Sequence, residues 1–240
     1  MHTLVVTSGF ASKRAQTAES VPTPDLATPE PRRQAEGQLA AYARPVPEMY
    51  ASPHHSLVVE GVQAVWDRWG QEMLDVAILS AGLGLLDAER SIIPYDVRSD
   101  GLPEGELAEL APHIPLAEQA QALVAQYDLV FYLLSGQFLA MLELPLGVPD
   151  HVQQIALTDR QSLALLPTLP NLHGLVADGS AAAQRWHVKT SHVRGFLFRR
   201  LCRQIAWHGP IVLEWLRAFP QDTEKLFYKQ VRWRPQLPMW

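Results

Sequence analysis

AILSAGLGLLDAERSIIPYDV, residues 77–97, opens as an unbroken apolar run, turns through Gly82 and Gly84, and closes on Pro94, Tyr95 and Asp96. An apolar run without alternation suits a strand covered on both faces, as in a parallel sheet flanked by helices. The carboxyl ends of such strands open onto a crevice where loops leave backbone donors and short polar side chains facing a ligand. Ser80, the glycines, Tyr95 and Asp96 therefore stand where that rule puts a site.

The rest of the chain reads in the same way. HTLVVTSG (2–9), DLVFYLLSG (128–136), QQIALTD (153–159) and NLHGLVAD (171–178) are further buried strands, the last two ending in Asp159 and Asp178. Between them, SLVVEGVQAVWDRWG (56–70), PLAEQAQALVAQY (115–127) and QFLAML (137–142) carry helical spacing or follow directly from a strand-end turn. Strands alternating with helices predict one α/β domain over 1–240: three layers around a mostly parallel sheet with right-handed crossovers. Residues 11–47, with VPTPDLATPEP at their centre, are rich in Pro, Ala, Gln and Thr and predict a long loop or insertion that holds neither helix nor ladder strand. VRGFLFRRLCRQIAWHG, PIVLEWLRAF and DTEKLFYKQV predict three closing helices separated by Gly209-Pro210 and Pro220.

With 240 residues, 48% of them hydrophobic, the chain can bury a sizeable core. No run approaches the ~18 apolar residues of a membrane span, and the opening MHTLVVTSGF turns polar too early for a secretory segment, so a cytoplasmic protein without a membrane partner is expected. Cys202 is the sole cysteine, which excludes an internal disulfide and a cysteine-cluster metal site and reads as a buried helix residue. The net charge of −5 hides a polarity: residues 180–240 hold 11 Lys and Arg against 3 Asp and Glu, whereas residues 1–179 hold 9 against 22. Segregated positive charge is the footprint expected of phosphate or nucleic-acid contact, and equally of a solvated helical surface.

Three strands end in small polar residues: Ser8-Gly9, Ser80-Ala81-Gly82 and Ser135-Gly136. Glycine admits close backbone approach to an anion or base edge, and serine supplies a donor and acceptor without bulk. GLGLL lacks the third glycine of a dinucleotide fingerprint, and the chain has no Gly-Lys-Ser/Thr phosphate loop and no Gly-x-Ser-x-Gly elbow. Asp96, behind Pro94 and beside Tyr95, is the candidate general base or stabiliser of a cationic sugar; a turn aspartate bonded to its own backbone is the structural alternative. Lys13 could reach the same crevice, and Tyr50 and Ser52 in EMYASPHH follow the long segment, where a tyrosine could stack on a base. Neighbouring His54 and His55 point apart and lack a third ligand at familiar spacing, so no metal site and no cofactor is expected.

VVTSGFASK, PVPEMYASP, ILSAGLGLLDAERSIIPYDV and YDLVFYLLSGQFLAML, in that order, resemble a family of small α/β domains with a Leu-Ser-Ala-x-x-Gly-Leu-Leu segment and a Pro-Tyr-Asp tripeptide, often labelled peroxide-stress-protein-like. The resemblance covers roughly residues 1–145, with VRGFLFRRL as a further segment. It implies a fold similar to uracil-DNA-glycosylase-like domains and an association with base exchange or modification in nucleic acids. It singles out Lys13, Tyr50, Ser52, Ser80, Gly84, Pro94, Tyr95 and Asp96. Met49 departs from the usual leucine, and the 11–47 insertion separates segments that normally lie closer. Taken together, the expectation is a DNA glycosylase acting on a modified base flipped out of the stack, with bulky phage-type bases and a role in antiviral defence as its furthest extension. Asp96, Tyr95 and Ser80 would act on the glycosidic bond, Ser8, Gly9, Lys13, Tyr50, Ser52, Gly84, Ser135 and Gly136 would line the base pocket, and Lys189, Arg194, Arg199 and Arg200 would hold phosphates. A non-catalytic module recognising modified nucleotides and an enzyme of free nucleosides or nucleotides are the alternatives.

Overall fold

A computed structural model describes residues 1–9, 21–22, 28–80, 83–96, 115–144, 146–177 and 179–228. A six-stranded sheet forms its centre. The strands are β1 (Thr3–Ser8), β4 (Asp75–Ser80), β5 (Gly84–Asp87), β8 (Leu129–Leu133), β9 (Gln153–Thr158) and β10 (Leu172–Val176), in the spatial order β10-β9-β8-β1-β4-β5. All neighbours are parallel except β4 and β5. The chain leaves β1 toward β4 and then returns to the opposite side of β1 at β8, so the order reverses between β1 and β8, the position where doubly wound sheets open their ligand crevice. Two short pairs stand beside the sheet: β2 (Val21–Pro22) with β7 (Tyr95–Asp96), and β3 (Arg44–Pro45) with β6 (Ser91–Ile92).

Helices cover both faces. α3 (Pro53–Trp69) and α8 (Val193–His208) pack on one, joined there by α9 (Ile211–Ala218) and α10 (Thr223–Tyr228); α4 (Leu116–Val124) and α5 (Gly136–Met141) pack on the other. Alternate strand residues divide accordingly, with Val5 and Ile78 in the first core and Leu4, Val6 and Leu79 in the second. Gly61 of α3 faces the backbone of Arg199 and the side chain of Cys202, while a Cβ on Gly195 of α8 would come within 2.6 Å of the His54 carbonyl oxygen. The two helices approach this closely because neither glycine carries a side chain. Cys202 lies fully buried in that seam, and desolvation drives its thiol pKa far up. Among the described residues, no helix is long and apolar enough to cross a membrane.

The three-layer, mostly parallel architecture and its five parallel strands agree with the sequence. Three local expectations need correction. The segment 11–47 is not all loop: α1 (Pro29–Gln38) lies within it, and α2 (Val46–Met49) begins at its end. Pro29 and Pro31 occupy the first turn of α1, where backbone N–H groups have no helical partner to lose. GLGLL is more than the tight glycine turn expected there: beyond the turn, Gly84–Asp87 returns as a strand antiparallel to β4, with Gly84 at a positive φ of +81°. Two helices without a strong apolar stripe escaped notice: α6 (Arg160–Leu165), started by the Asp159 side chain accepting from Ser162 N–H, and α7 (Ser180–Trp186).

Candidate functional site

The strand ends place most of the expected residues together. β1 and β4 run parallel, and Gly9 N–H extends their ladder by donating to Leu79 O at 3.0 Å. A Cβ on Gly9 would fall inside the Tyr50 ring, so glycine lets that ring lie against the end of β1. The segment 91–96 is held from two sides, by β3 through Ile92 and by β2 through Tyr95, which fixes Tyr95 above the end of β4. There Ser80 Oγ lies 2.5 Å from the Tyr95 hydroxyl, and Tyr95 lies 2.6 Å from the Tyr50 hydroxyl. Leu83 N–H donates to Ser80 Oγ at 3.2 Å.

Ser80, Tyr50 and Tyr95 are buried, at 0, 0 and 2% exposure. Desolvation is the main force raising both phenol pKa values; the neighbouring phenol raises that of Tyr50 further, and hydrogen bonds from Ser80 and Tyr50 only partly offset the rise for Tyr95. All three groups are therefore neutral hydroxyls near neutral pH. Each hydroxyl can both donate and accept, and Ser80 hydrogen-bonds Tyr50 as well as Tyr95. The arrangement can donate a hydrogen bond or relay a proton, but it offers no ready anion.

A second polar group on the same face of the sheet was missed in the sequence. His54 Nε2 lies 3.3 Å from Thr7 Oγ1 at the end of β1. Burial lowers its pKa to about 3, with the positive Arg194 and the imidazoles of His55 and His192 acting in the same direction and the Leu133 carbonyl opposing them. His54 is thus a neutral ring at the β1–β8 reversal. Next to it in sequence, His55 Nε2 meets Pro47 O at 2.9 Å, and its ring stands edge-on to Tyr50. Among the described residues no three histidines, cysteines or carboxylates gather to hold a metal.

The remaining candidates separate. Ser52 spends its hydroxyl on capping α3, accepting from His55 N–H at 3.2 Å. Ser8 is fully buried, and its hydroxyl meets no partner among the described residues. Ser135 stands at the start of α5, and a Cβ on Gly136 would collide with the Ser162 hydroxyl, which donates to Asp159 at 2.6 Å. Burial raises the pKa of the Asp159 carboxyl, but the Ser162 hydrogen bonds and the charge of Arg194 bring it below its usual range overall. Gly84 is the first residue of β5 and pairs with Ser80. Lys13 and the side chain of Asp96 lie outside the described residues.

The basic helical end is largely committed to the fold. Arg199 donates to Glu60 at 2.6 Å; Arg200 donates to Phe227 O at 2.9 Å and lies over the Trp186 ring. Arg217 pairs with Asp128 at 3.7 Å. Lys189 is exposed, and the charge of Arg194 acts on both His54 and Asp159. A cleft of about 890 Å3 also lies away from the hydroxyl chain, along β5. No protein-family model matches the chain, and no curated protein matches it.

Proposed function

We propose that the carboxyl edge of β1, β4 and β8 is a base-binding site and that the protein is an N-glycosidase that removes a modified nucleobase from DNA. The observation that carries this reading is the buried Ser80–Tyr95–Tyr50 hydroxyl chain, with Asp96 the residue that follows Tyr95. Neutral hydroxyls suit the hydrogen-bonding edge of a base, and a carboxylate one residue on suits an oxocarbenium-like sugar or the activation of water. Ser8 and Gly9 border the same strand ends, and the exposed Lys189 would meet phosphate.

One observation favours a second reading. Arg199 and Arg200 are held by Glu60 and by Phe227 and Trp186, which weakens the phosphate footprint and suits a free nucleoside or nucleotide. Both readings are tested by incubating the pure protein with DNA carrying ordinary and heavily modified bases, and with the matching nucleosides, followed by mass spectrometry of released base and alkaline cleavage at abasic sites. Release from DNA supports the glycosylase, and Asp96→Asn is then expected to lower it by about 100-fold or more. Release from nucleosides alone supports the second reading. DNA binding that weakens with salt, without release, identifies a recognition module instead.

A further inference from the structure

β5 is the edge of the sheet, and its free side opens into the 890 Å3 cleft. Val59 and Gln63 of α3 form the wall on one face, and Gln119 and Leu123 of α4 form the wall on the other. Leu86 enters the core beneath α3, while Leu85 packs toward α4, so the cleft straddles the strand from both layers. Ala88 N–H donates to Val76 O at 3.2 Å, which sets the phase of the β4–β5 ladder: Gly84 and Leu86 turn their backbone groups to β4, and Leu85 and Asp87 turn theirs outward. Asp87 O is taken by Arg90 N–H. Among the described residues, the N–H and C=O of Leu85 and the N–H of Asp87 have no backbone partner and lie on the cleft side.

The charge of the cleft has one sign. Glu48, Glu60, Asp75, Asp87 and Glu89 line it, and its described lining contains no lysine or arginine. Among the described residues, Glu60 alone of these is paired with a cation, Arg199. These carboxylates are too dispersed to form a metal cluster among the described residues, and like charge repels a nucleic acid. Spaced carboxylates beside an unpaired strand edge, between apolar walls, match one kind of occupant. We infer that β5 receives an extended peptide segment of a partner protein, with lysine or arginine alternating with apolar residues, as a seventh strand. The outward groups of Leu85 and Asp87 supply the ladder bonds, Asp75, Asp87 and Glu89 meet the cations, and Val59 and Leu123 receive the apolar side chains. This inference is independent of the reading of the hydroxyl site.

The test uses the full chain and a fluorescent octapeptide of alternating lysine and valine, with two controls: a glutamate–valine octapeptide, and a lysine–valine peptide N-methylated at alternate residues. Anisotropy is expected to report binding of the first peptide, weakened about tenfold or more for either control and for the exposed double variant Asp87→Lys/Glu89→Lys, with an unchanged melting temperature of the variant showing that the fold is intact. Protection of the Leu85 amide from hydrogen exchange in the complex supports strand addition. Equal binding of the N-methylated peptide, or full binding by the double variant, overturns the inference. Deletion of residues 229–240 that raises affinity about tenfold or more would show that the chain's own cationic end competes for β5, and would overturn the assignment to a partner.

Discussion

Two polar regions flank β4, and they differ in almost every physical respect. At its carboxyl end, Ser80, Tyr95, Tyr50, Thr7 and His54 are buried and neutral, arranged by hydrogen bonds of 2.5 to 3.3 Å. Beside β5, Asp75, Asp87 and Glu89 are exposed and charged, held by little more than single hydrogen bonds from the Tyr127 hydroxyl to Asp75 and from the Glu89 N–H to Asp87. Burial makes the first region sensitive to proton balance and to single atoms, whereas solvent screens the second and leaves it tolerant. Groups that must act on a precise ligand atom belong in the first environment, and groups that attract and steer a flexible segment belong in the second.

That contrast can be broken most forcefully through His54. Its pKa falls from 6.5 to about 3 on folding, so between those values the unfolded chain binds a proton that the folded chain does not. Stability from this group is complete above pH 6.5 and is lost as the pH falls, by up to about 1.4 kcal/mol per pH unit. Urea denaturation at pH 7 and pH 5 is expected to show the loss, and His54→Leu to flatten it; an unchanged slope in the variant would remove His54 from this role. Next in size, Gly195→Val drives a side chain against the His54 carbonyl and is expected to cost about 1–3 kcal/mol or more, read from the same denaturation curves. Tyr95→Phe leaves the Ser80 and Tyr50 hydroxyls without their shared partner and is expected to cost about 1–3 kcal/mol, with thermal unfolding as the check. At the small end, Asp87→Asn on the open edge is expected to change stability by less than about 0.5 kcal/mol. A larger loss there would show that the cleft carboxylates help to hold the fold together.

The strands were legible because LVV, VAIL and LVFYLL are uniformly apolar, which marks burial on both faces before any partner is known. Ser80, Tyr95, Tyr50 and Gly9 could be expected to meet because each lies at or just beyond the end of a strand or beside a rigid Pro-containing turn. The glycines marked the turn after β4, but the strand beyond it was not legible: Gly84–Asp87 is only four residues long, and its pairing depends on the edge of β4 being vacant. His54 was hidden by its neighbour, since a His-His pair invites a metal reading although the two rings serve different partners. The fate of the arginines was least accessible. Arg199 meets Glu60 across 139 positions of sequence, and no local pattern records that contact.

The single thiol of Cys202, sealed between α3 and α8 opposite Gly61, gives the molecule an internal clock. A bulky thiol reagent reaches it only when that helix seam opens, so the rate of modification under native conditions reports how often the two helices part. Because α3 carries His54 and α8 carries Arg194, the same rate reports on the pair of helices that brings those two groups to the polar site, with no probe attached to the site itself.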